Sequence, residues 1–179
     1  MGEVASSILE KISSYNLFNF LFTGAIFLVG SDVIAGTQFL SGPVAVFILI
    51  AYFLGMVLSC VGSLIIEPIL KKIGFVKFAN YADFLKAEKS DGKILVLLEM
   101  TNTYRTLMSV FLALAGVKIG VAMKDKYPAL IPYVEWLWPF LTAALFAFAY
   151  RKQSKFIHDR VQHHKHDQNR PASGENKNG

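Results

Sequence analysis

Charge disappears from long stretches of this chain and returns in clusters. Between Lys11 and Asp32 there is no charged residue, and Tyr15 to Gly30 reads YNLFNFLFTGAIFLVG. Between Asp32 and Glu67 there is again none, and Pro43 to Ile66 reads PVAVFILIAYFLGMVLSCVGSLII. A helix needs about 20 mostly apolar residues to cross roughly 30 Å of hydrocarbon. Both runs are long enough, and Pro43 suits a first turn, where a missing N–H is harmless. A third run, Thr106 to Val117, is short by itself. Extended from Arg105 to Met123, it reaches working length if Lys118 snorkels to the interface. The fourth, Tyr133 to Tyr150, carries Tyr133, Trp136, Trp138 and Tyr150 towards its ends, where amphipathic rings meet headgroups. Pro139 falls in its first turns or kinks it. The pattern predicts an all-α polytopic membrane protein with spans at about 15–34, 43–66, 105–123 and 133–150.

The segments between the spans are patterned too. Val4, Ile8, Ile12 and Tyr15 recur at helical spacing. They form either a short helix lying on the membrane surface or the start of a longer first helix. In the connection 67–104, Phe75, Phe78, Ala82 and Leu85 recur every three or four residues. Asn80 could cap a short amphipathic helix ending near Asp91-Gly92. From Lys93 to about Met123 a single long helix is expected, its first three turns outside the bilayer. Past Tyr150, Phe156, Ile157 and Val161 keep an apolar edge on an otherwise basic helix. The chain thus divides into a transmembrane domain, 1–150, and a basic tail, 151–179, expected to be disordered from about residue 168. The two halves do not match as an inverted repeat, which weakens a transporter reading.

Composition narrows the class. The 179 residues are 54% hydrophobic and 17% charged, where a soluble domain has about 45–50% and about 25%. That excess of apolar surface excludes a disordered chain. The single cysteine, Cys60, excludes an intrachain disulfide and suits a packing residue in mid-bilayer. The first span is preceded by Glu3, Glu10 and only Lys11, whereas a cleaved signal wants net positive charge, so the span should be retained.

Charge also sets a direction. The connection Glu67 to Lys93 holds six lysines and the tail from Arg151 holds seven Lys or Arg, against none in Ser31 to Gly42 and three near Lys118 to Glu135. By the positive-inside rule, both termini and the middle connection face the cytoplasm, with the bacterial inner membrane the expected location. The net charge of +5 follows from this topology and needs no nucleic-acid partner.

The densest polar cluster is Glu99 to Thr106, at the mouth of the third span. Glu99, Asn102 and Thr106 share one helical face, and Arg105 overlaps it. Glu67 closes the second span at the same level, so Glu67 and Arg105 are a plausible interhelical ion pair. Such a cluster fixes helix packing, or acts as a gate or signal-transmitting contact. Lys118 either snorkels or lines an oligomeric pore. His158, His163, His164 and His166 in the tail fall short of a metal site, which needs three or four convergent ligands. The Arg–His spacings of the tail resemble the signature of HEPN-type ribonucleases, but a segment so rich in both residues makes them by chance. There is no phosphate-binding glycine loop, no hydrolase triad context and no zinc-protease motif. No catalytic, cofactor or metal site is therefore expected.

In size and span layout the chain resembles the small four-span membrane subunits of bacterial anti-phage defence systems, such as the membrane component of Kiwa. The resemblance is one of layout, so no residue roles carry over. It implies cytoplasmic parts that dock a soluble effector. The expected function is a non-enzymatic membrane sensor or anchor, with Phe75, Phe78, Phe156 and Val161 as docking candidates. The alternative is an oligomeric ion channel or membrane-permeabilising pore. Small residues on the second span (Gly55, Ser59, Gly62, Ser63) and third (Ala113, Gly116, Gly120) would let helices pack closely, within the chain or in a homo-oligomer.

Overall fold

The computed structural model describes residues 2–77, 79–80, 83–84, 87–88 and 91–168. Among these there is no strand. Four helices are long and apolar enough to cross a membrane: Ser14–Ala35, Val44–Lys72, Lys93–Lys124 and Ile131–Gln162. The chain is an all-α protein of the membrane-spanning class.

The first helix, α1, runs unbroken from Gly2 to Ala35. The N-terminal apolar stripe is therefore the beginning of the first helix and not a separate surface element. Gly36, at φ +65°, ends it in the left-handed region that favours glycine. Asp32 then organises the turn. Its carboxylate accepts from the Thr37 hydroxyl at 2.5 Å and from the backbone N–H groups of Phe39 and Leu40 at 3.1 and 2.9 Å. These bonds hold a short 3₁₀ turn, Phe39–Ser41, at the entry to α2, Val44–Val61.

The second span does not stay regular. Pro68 has no N–H, and its ring would clash with the carbonyl four residues back in a regular helix. The chain responds with one wide π turn, Gly62–Ile66, before resuming as α3, Glu67–Lys72. The Glu67 N–H bonds to the Gly62 carbonyl, five residues back. Ser63 O, which that N–H would serve in an α-helix, could next look to Pro68, which has nothing to donate. Its carbonyl is thus available to another helix. Gly74, at φ +74°, closes α3.

The last two helices are longer than a bilayer requires. Asp91 caps α4, Lys93–Lys126, by accepting from the Lys93 N–H at 2.9 Å. Pro128 opens a 3₁₀ turn, Pro128–Leu130, and α5 runs Ile131–Gln168 with Pro139 inside it. At 1.5 Å per residue, α4 and α5 are about 50 and 57 Å long, so each exceeds the hydrocarbon by some 20 Å or more. Within the connection, Phe84 N–H bonds to the Asn80 carbonyl and Asp91 N–H to the Ala87 carbonyl, so helical turns follow Asn80 as its capping role anticipates. Phe78, Ala82 and Leu85 lie outside the described residues, as does the tail beyond Gln168.

Packing is unequal. α1 and α2 touch backbone to backbone at a reciprocal pair of glycines. A Cβ on Gly24 would stand 1.7 Å from the Ala51 carbonyl oxygen, and one on Gly55 would stand 1.8 Å from that of Phe20. Only glycine permits this approach, and in lipid such close contact replaces the hydrophobic drive that water would supply. α4 lies against both helices. Leu58, Val110 and Leu114 form the apolar centre, with Ile26, Phe27, Ile34 and Ala113 packed around it. The rest of the interior is small and polar: Thr23, Thr106 and Ser109 are buried and donate to carbonyls one turn back on their own helices. Gly62 makes room for α4, since a Cβ there would meet the Ser109 hydroxyl at 2.7 Å. Gly116 and Gly120 behave differently from expectation. Neither has an atom within 4 Å of a Cβ position, so the third span packs through Ser109 and Leu114 instead.

α5 is the outlier: none of its most apolar stretch is buried. It reaches α2 through a ring contact between Phe146 and Phe53, centroids 6.2 Å apart, and through Lys152.

The glycine crossing generates a direct test. Gly24→Leu or Gly55→Leu should destabilise the protein by about 1–3 kcal/mol or more through overpacking, whereas Gly116→Leu should be nearly neutral. Unfolding in detergent micelles, followed by circular dichroism, measures all three.

Candidate functional site

The end of the bundle that carries most of the lysines and arginines also carries its one dense polar cluster among the described residues. Glu67, the first residue past the charge-free run, is its centre. The Arg105 guanidinium reaches Glu67 Oε2 at 2.5 Å from α4. Lys71, one turn along α3, bonds to Oε1 at 2.8 Å. Lys152 of α5 stands 3.7 Å from Oε2. The same Lys152 ammonium donates to the Ser63 carbonyl at 2.8 Å and to the Ser63 hydroxyl at 2.7 Å. The carbonyl stranded by Pro68 is therefore the one that α5 uses.

Each member is where the local chain puts it. Lys71 follows Glu67 by four residues, the spacing that brings helical side chains together. Arg105 enters beside Gly62, whose missing side chain leaves 3.2 Å between a Cβ position and Arg105 Cγ. A carboxylate at the edge of hydrocarbon is strongly disfavoured without partners. Here three cations from three helical segments compensate it. Glu67 thereby joins the π turn and α3 to both α4 and α5.

A second contact lies further out on the same side. The Tyr15 hydroxyl of α1 donates to the Glu99 carbonyl and lies 2.6 Å from the Thr103 hydroxyl. Tyr15, Val96, Glu99, Met100, Thr103 and Tyr104 line an open cleft of about 290 Å³. Further still, Arg160 of α5 approaches Glu88 at 3.7 Å, linking the helix extension to the connection before α4.

The residues singled out from the sequence separate into groups. Glu67 and Arg105 are in contact, as their shared level suggested. Glu99 does not join them: it faces the Tyr15 cleft. The Asn102 carbonyl accepts from the Thr106 hydroxyl within α4. Lys118 is exposed on the opposite half of α4 and makes no ion pair among the described residues. Phe75, Phe156 and Val161 are exposed, and Phe78 lies outside the described residues. The side chains of His163, His164 and His166 also lie outside them.

Three contributors were not anticipated: Lys152, Tyr15 and Asp32. Lys152 reads from the sequence as one of several topology-setting cations. Pro68 was the available signal, because a proline near the end of a span strands a carbonyl that some donor must satisfy. No family model matches the chain, and no curated protein or solved structure does.

The convergence on Glu67 predicts a graded response. Glu67→Gln leaves three cations facing one another and should cost most, towards about 3 kcal/mol. Arg105→Gln should cost less, because Lys71 and Lys152 still serve the carboxylate. Lys71→Gln, at a more exposed pair, should cost under about 1 kcal/mol. Exchanging Glu67 and Arg105 should recover little, since the arginine placed on α3 by the exchange would meet Lys71 and Lys152. Chemical unfolding in micelles ranks the four, and a swap that restores full stability would show that the two lysines do not engage.

Proposed function

We propose that this chain is a non-enzymatic membrane anchor and sensor subunit that docks a soluble partner on its basic side. The observation that carries the reading is the continuation of α4 and α5 past the membrane boundary. Lys93 stands about 18 Å beyond Arg105, and Gln168 about 24 Å beyond Lys152, at helical rise. The extensions are ordered helix, tied to the neighbouring connection by Arg160 and Glu88. They present Phe156, Ile157 and Val161 alongside basic residues. Basic bias in short connections favours placing this side in the cytoplasm. Glu67 supplies a route for a signal, because displacing α5 breaks its contacts to Lys152 while Arg105 stays bound. The shared layout with small membrane subunits of anti-phage systems makes a defence effector a reasonable class of partner.

The rival is a channel. Leu28, Thr23 and Val110 are fully buried at the centre of the α1–α2–α4 unit, so a pore would have to form between copies. Lys118, exposed on α4, would be its candidate lining charge.

Reporter fusions after Gly179 and at Ser90 should read cytoplasmic, and one at Gln38 external. Replacing Phe156 and Val161 by Ser should leave membrane insertion intact and abolish co-purification of the partner. Retention of every partner by that variant would move docking to the connection around Phe75. Ion flux from liposomes holding the purified chain would favour the channel and sink the anchor reading.

A further inference from the structure

Glu67 does not balance its surroundings. Three cations converge on a single carboxylate, which leaves two positive charges in excess. The side chains are layered: Glu67 is 12% exposed, Arg105 20%, Lys152 33% and Lys71 44%. The carboxylate is innermost and the lysines form an outer rim. Arg105 Nε is buried and makes no hydrogen bond among the described residues. The acids nearest along the helices do not correct the imbalance. Glu99 lies about 9 Å up α4 from Arg105, and Glu88 faces Arg160.

The cluster also sits at a particular depth. It begins where the charge-free run ends, which is where the hydrocarbon gives way to headgroups. A phosphodiester at that level brings one negative charge and two free oxygens, and both ammonium and guanidinium groups donate to such oxygens. Lys152 is held in advance by the Ser63 carbonyl and hydroxyl. A rim already fixed loses little freedom on taking a ligand. Zwitterionic headgroups carry their own cation beside the phosphate, so an excess of two positive charges selects a net anionic one.

We propose that the Lys71–Arg105–Lys152 rim binds the phosphate group of an anionic lipid headgroup where α3, α4 and α5 meet. This site goes beyond partner docking and stands whether or not a soluble partner exists.

The test uses the full chain in detergent micelles, with thermal melting and native mass spectrometry as readouts. The probes are phosphatidylglycerol, phosphatidylcholine and millimolar inorganic phosphate. Phosphatidylglycerol should raise the melting temperature and remain bound, and phosphatidylcholine should do neither. Lys71→Gln, which keeps the Lys152–Ser63 contacts, should weaken phosphatidylglycerol binding about fivefold. Lys152→Gln should weaken it at least as much, and Lys118→Gln at the far end should not. If Lys152→Gln fails to fold, Lys71→Gln alone still decides. Equal stabilisation by both lipids, or unchanged binding in Lys71→Gln, would overturn the proposal. A full shift from inorganic phosphate alone would overturn the lipid as its source.

Discussion

A backbone carbonyl without a donor is costly inside a membrane, and Pro68 creates one. The proline widens the helix into a π turn and strands the Ser63 carbonyl beside the only carboxylate at the end of the second span. Both acceptors then call for cations. Lys152 answers each of them, and Arg105 answers the carboxylate. The arrangement of α4 and α5 around the second span follows from satisfying these two groups. A regular helix through residues 62–68 would leave no free carbonyl there, and α5 would lose its strongest attachment to the rest of the chain.

Two kinds of helix contact coexist in this protein. α1 and α2 meet through backbone contact at Gly24 and Gly55, with no charge involved. α5 meets its neighbours through a lysine and a pair of phenylalanine rings, with its apolar stretch otherwise open. Lipid tails cover apolar side chains as well as another helix does, so the open surface exerts little pull. The first contact is therefore short-ranged and rigid. The second is polar, and it responds to charge.

Much of this was legible in the sequence. Span positions follow from runs without charge, a one-dimensional property that needs no partner information. The Glu67–Arg105 contact was legible because both residues end apolar runs at the same boundary. Less was legible about which small residues matter. Gly24 went unremarked while Gly116 and Gly120 looked promising, because spacing cannot say which face of a helix meets a neighbour. Lys152 was hidden by its company, since a tail rich in cations offers no reason to single one out. Its partner is a backbone atom, which leaves no mark in residue identity except through Pro68.

The Gly24–Gly55 crossing bears on how the protein is made. These residues lie in consecutive helices joined by a connection that Asp32 already organises. Everything this contact needs has left the ribosome once the second span has been synthesised. The first two helices can close as a hairpin while α4 and α5 are still unmade, and present a finished groove to α4. Glu67 reaches the boundary early as well, with Lys71 as its first companion. Arg105 joins later, and Lys152 last. The order of synthesis thus matches the order of contact strength, from backbone contact to salt bridge. The helix added last is the one held by the most reversible bonds.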